Sequence, residues 1–172
     1  QIPDIKPAKL RQVLIDRLNT ILSKYERIAF QQTHWQKLYE PCIAPFVDSL
    51  RTINRLCNAV QFKLSSISTE IDFADIVAIS VLEIQHPEVY EWVKEHKSLL
   101  TGEFDLSTIR EKNKTQKELK DFYIAQIKAV LQKDGHSTVT DEQVEEIIAF
   151  LSHLFPHFGQ KIGEIYEVYN LN

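Results

Sequence analysis

The sequence has 172 residues, 44% of them hydrophobic and 26% charged, with 4 Gly, 6 Pro and a formal charge of −4. That length can bury a substantial core, and the composition excludes a disordered or fibrous chain. Few glycines and prolines favour long helices over the many tight turns of an all-β fold, and the acidic balance gives no global attraction to nucleic acid.

Proline keeps the opening Gln1-Ile2-Pro3-Asp4-Ile5-Lys6 extended, and Pro7 suits a helical first turn. Leu10, Val13, Leu14, Leu18, Ile21, Leu22 and Tyr25 then recur at helical spacing, predicting a helix over 7–27. A second, over 31–39, carries Trp35 and Leu38 and is expected to end at Pro41.

The third helix is expected over 45–64. At about 100° per residue, Phe46, Leu50, Ile53, Leu56, Cys57, Val60 and Leu64 share a broad apolar side. Arg51, Asn54, Arg55 and Asn58 gather opposite. Arginines at i and i+4 repel slightly, so this polar face is either simply solvated or presents donors to an anion.

A polar break over 65–69 precedes a helix over 73–85, capped by Asp72 and apolar almost all round, hence central. His86-Pro87 restarts a helix that Gly102 stops. The stretch from 103 to 114 is irregular and polar. Arg110, Lys112, Lys114, Lys117 and Lys120 form a basic tract without interleaved aromatic residues, read as a solvated surface and not a nucleic-acid site. Further helices are expected over 115–133, broken by Asp134-Gly135, and from a Thr140–Gln143 capping box to Phe155-Pro156. A short last helix is expected over 161–169. The fold class is therefore all-α, a multi-helix bundle of about seven helices.

Cys42 and Cys57 are too few for a disulfide framework or a four-ligand zinc site, and Cys57 on the apolar face reads as a reduced core residue. The chain opens with no signal sequence, and its longest apolar run, 76–84, is far short of the roughly 20 residues of a membrane helix. It begins at Gln1 and contains 0 Met, so it reads as a fragment. No Gly-Lys-Ser/Thr sequence follows any glycine, so a phosphate-cradling loop is missing and catalysis cannot be complete here. His153 and His157 stand four apart, but Pro156 interrupts the helix between them and no Glu accompanies them as base.

Several segments, in order, resemble the region after the ATPase core in the KAP family of P-loop NTPases. They are Ile2-Pro3, Ser49-Leu50-Arg51, Arg55-Leu56 with Asn58, Asp72-Phe73-Ala74-Asp75-Ile76, His86 to Trp92 with Leu99 to Gly102, and Leu154-Phe155-Pro156. Residue 157 is His where the family pattern has a basic residue, and Thr52 and Asn54 also depart from it. The resemblance implies a helical lid over 1–66 and a C-terminal helical subdomain over 67–172. It implies no catalytic residue, metal or cofactor in this fragment, with ATP and Mg bound by the P-loop domain of the same intact chain. Arg51 would sense the nucleotide's terminal phosphates, with Arg55 and Asn58 in support. The family further implies a cytoplasmic ATPase, often at the inner membrane face, in roles such as phage exclusion or signalling scaffolds. The competing expectation is an all-α module that binds a protein partner or self-associates and has no nucleotide role.

Overall fold

A computed structural model describes residues 5–66, 70–103, 111–133 and 138–164. The described residues form an all-α structure of nine helices, seven of them of 7 or more residues, with no strand. The chain divides into two compact units, Gln1–Gln85 and His86–Asn172.

In the first unit, α1 (Pro7–Leu22) starts with proline in its first turn and buries Leu10, Leu14, Leu18 and Ile21. It stops short of residue 27 because tighter turns take over: Lys24 N–H donates to the Ile21 carbonyl and Tyr25 N–H to that of Leu22, both at 3.0 Å. Helix α2 (Gln32–Leu38) runs into a π-helical turn, Tyr39–Ile43, and then a 3-10 turn, Ala44–Phe46. Pro41 therefore widens the helix instead of ending it, since a residue without N–H fits where the regular ladder is already interrupted. Val47 leaves helical geometry, so α3 (Leu50–Leu64) begins at Leu50 and not at 45, capped by Ser49 Oγ accepting from Thr52 N–H at 3.2 Å.

Helix α4 (Phe73–Gln85) is central to this unit, burying Phe73, Ala74, Ile76, Val77, Ala78, Ser80, Val81 and Leu82. It packs on α2, the π-helical turn and α3. That packing keeps α4 with the first unit, which ends at Gln85. Asp72 caps α4 as expected, with Oδ1 accepting from Ala74 N–H at 2.8 Å, while Oδ2 accepts from Gln31 N–H at 2.9 Å. Phe73 N–H donates to the Ala29 carbonyl at 2.8 Å across an isolated bridge between Ala29 and Asp72.

In the second unit, one expected helix is two: α5 (Pro87–Glu95) and α6 (Lys97–Thr101). They part at His96, whose Nδ1 donates to the Trp92 carbonyl at 2.8 Å and whose ring stacks on Trp92 at 4.5 Å, a side-chain arrangement that accompanies the departure from helical geometry. Gly102, at φ 77°, closes α6 in the left-handed conformation glycine tolerates. Helices α7 (Gln116–Lys133), α8 (Asp141–Leu154) and α9 (Pro156–Lys161) follow. The capping box of α8 is present, with Thr140 Oγ1 accepting from Gln143 N–H and the Gln143 side chain accepting from Thr140 N–H.

Tyr123 and Phe158 meet edge-on at 4.9 Å in this unit's core, and Gly159 lets α9 approach α8 closely. Beside them lies a partly buried polar cluster. Lys161 Nζ donates to Glu111 Oε2 at 2.6 Å, to the Leu99 carbonyl at 2.9 Å and to Tyr123 Oη at 3.1 Å, while Tyr123 Oη–H donates to Glu111 Oε1. The expected features at 1–4, 67–69, 104–110, 134–137 and 165–172 lie outside the described residues.

Candidate functional site

Helix α3 is held firmly from beneath. Ile53, Leu56, Cys57, Val60 and Leu64 are buried, and Lys63 pairs with Glu83 of α4. At the N-terminal end Thr52 Oγ1 donates to Asp48 Oδ1 at 2.6 Å. Bonds from Thr52 and Ser49 hold the Asp48 carboxyl below its ordinary range, so the entry to the helix is fixed by charge-assisted contacts.

The four polar residues singled out from the sequence separate into two roles. Asn54 faces α1, where its Oδ1 accepts from Arg17 Nη1. Arg51, Arg55 and Asn58 are exposed on the outward stripe. Among the described residues neither arginine makes an ion pair, whereas Arg11 pairs with Glu40 and lies over the Tyr39 ring at 4.6 Å. Each guanidinium is a planar, permanently charged fork of donors.

Sequence reasoning missed the stripe's fourth member, Phe62, which is 76% exposed. The signal was available: eleven positions of about 100° bring Phe62 to within roughly 20° of Arg51, away from the apolar side. Leu50, assigned to that apolar side, is 38% exposed. Cys57 is buried as expected, and burial raises its thiol pKa, with Arg17 acting in the opposite direction.

The histidine pair does not assemble a site. His153 Nδ1 donates to the Ala149 carbonyl at 3.2 Å, and the His157 ring lies against Gly102. Among the described residues no group of three His, Cys, Asp or Glu could hold a metal ion, and no helix is long and apolar enough to cross a membrane. The chain matches no family model, no curated protein and no solved structure.

Proposed function

We propose that this chain is the helical lid region of a KAP-type P-loop ATPase and senses nucleotide state without being catalytic itself. Its α3 stripe turns toward the nucleotide-bearing core of the intact protein, which binds ATP and Mg and hydrolyses the nucleotide. The observation that carries the reading is the pair of exposed guanidiniums, Arg51 and Arg55, held on a well-anchored helix with no carboxylate partner among the described residues. The ordered segments from Ser49 to Pro156 support the family. A guanidinium fork matches phosphate oxygens and loses that contact when the terminal phosphate leaves. Arg51 is the sensor in this reading; Arg55 and Asn58 support it.

The test is ATP turnover by the intact protein. Arg51→Ala and Arg51→Lys are both expected to lower turnover by about tenfold or more, since a lysine keeps the charge but loses the fork. Unchanged helicity would show that the fold survives. Wild-type turnover in both variants, or no turnover by the intact protein, refutes the assignment.

A second reading is favoured by Phe62. A phosphate sensor has no need of a solvent-facing aromatic ring, whereas arginine and aromatic residues are the side chains enriched where proteins meet. On this view the chain is an all-α protein-interaction module with no nucleotide role, and Phe62→Ala weakens partner binding while nucleotide has no effect.

A further inference from the structure

The outward stripe of α3 runs Arg51, Arg55, Asn58, Phe62, at i, i+4, i+7 and i+11. This is the register of a seam along which one helix lies on another. Helix α8 carries a second stripe at the same intervals: Glu142, Glu146, Ala149, His153. Both glutamates are exposed, and neither forms an ion pair among the described residues. Their neighbours on the same helix are engaged: Asp141 with Lys128 at 2.8 Å and Glu145 with Lys120 at 3.4 Å. On α3 itself, Lys63 pairs with Glu83, whereas Arg51 and Arg55 pair with no carboxylate among the described residues.

We propose that the chain associates with a second copy of itself, α3 of one copy lying parallel to α8 of the other. Arg51 meets Glu142 and Arg55 meets Glu146, the small Ala149 leaves room for Asn58, and Phe62 covers the half-buried His153 ring. Charge complementarity at equal spacing selects this occupant, because an acid pair four residues apart on a straight helix presents its carboxylates at the interval of the arginines. The contacting faces differ, so the contact is heterologous. A single helix pair falls below the roughly 1,200 Å² of a standard interface, and the association is accordingly weak and salt-sensitive. The proposal does not require the ATPase reading. Where both hold, core docking and self-association exclude each other, because both use one face of α3.

Analytical ultracentrifugation of this chain without nucleotide, at low ionic strength and up to about 1 mM, tests the proposal. The expected result is a weight-average mass that rises with concentration and falls on adding salt. Arg51→Glu/Arg55→Glu and Glu142→Arg/Glu146→Arg should each weaken association by about tenfold or more. Mixing the two variants should restore it, because the reversed pairs are again complementary; circular dichroism checks that each variant is folded. A wild type that stays monomeric overturns the proposal and leaves the stripe to a different protein. Association that survives either reversal, or is not restored on mixing, overturns the pairing of α3 with α8. Neither outcome bears on ATP turnover by the intact protein.

Discussion

Arg51 in the first unit and Lys161 in the second are both cations on helices, and they stand at opposite extremes of use. The Lys161 side chain is 15% exposed, and that of its partner Glu111 is 11% exposed. Its ammonium meets a carboxylate, a carbonyl and a phenol, which together account for its three protons. Arg51 is exposed and meets no carboxylate among the described residues. The first arrangement fixes a structure, since a buried ion is tolerated only when its bonding is complete. The second contributes little to folding, because an exposed cation keeps its hydration in the folded and the unfolded chain alike.

The largest effect should come from breaking the more enclosed member of the comparison. Lys161→Met strands Glu111 in a poorly solvated position and is expected to cost about 3–5 kcal/mol, read as a shift of the urea unfolding midpoint. Adding Glu111→Leu should recover most of that loss, because the stranded charge, and not the missing attraction, dominates it. Failure of the double variant to recover would mean that the cluster holds the chain by attraction.

Gly159→Ala probes the packing next to that cluster. A Cβ there would lie 2.9 Å from the Ser152 carbonyl oxygen and 3.1 Å from that of Glu164, both backbone atoms, so relief requires shifting α9 from α8. About 1–3 kcal/mol of destabilisation is expected in the same unfolding measurement. A neutral result would show that α9 moves freely.

Acid should act on the second unit. Burial lowers the pKa of His86 and of His153 from the ordinary 6.5, in His86 against opposing effects of Glu88 and Glu146. The unfolded chain then binds more protons than the folded chain between the lowered value and 6.5, so stability is full above 6.5 and falls as pH drops through that window. Replacing both histidines with glutamine should flatten the dependence of thermal stability on pH between about 7.5 and 5.5. An unchanged slope would exclude them as its source.

The smallest effect belongs to the exposed member. Arg51→Ala/Arg55→Ala should change unfolding stability by no more than about 0.5 kcal/mol, because a like-charged i, i+4 pair contributes nothing favourable. A loss well above that would place the arginines in the folding architecture and remove the reason for reading them as a docking face.

What the sequence made legible follows from the range of the forces involved. Periodicity located the apolar sides of α1 and α3 and marked α4 as central, and local hydrogen-bonding chemistry located the Asp72 cap and the Thr140 capping box. Features set by competition between neighbouring turns were harder to read. Pro45 looked like the first residue of α3, yet Ser49 makes the cap and Val47 breaks the chain between them. His96 divides α5 from α6 with a ring whose stacking on Trp92 no propensity describes. The Lys161 cluster was invisible for a different reason. Leu99, Glu111, Tyr123 and Lys161 come together only once four stretches of the second unit have packed, and nothing local in any of them marks the encounter. The candidate face lies between these cases: Arg51, Arg55 and Asn58 were found from the resemblance and their spacing, whereas Phe62 was hidden by its being hydrophobic.

Asp72 carries a consequence for how the first unit opens. A carboxylate has two oxygens, and here one closes the start of α4 while the other holds the Gln31 amide, a residue far away in sequence. Unwinding the first turn of α4 therefore releases the 29–31 segment, and peeling that segment away uncaps α4. The two cannot fray independently. The amide protons of Gln31 and Ala74 should exchange with solvent through one shared opening event, which makes this side chain a unit of cooperativity as well as a cap.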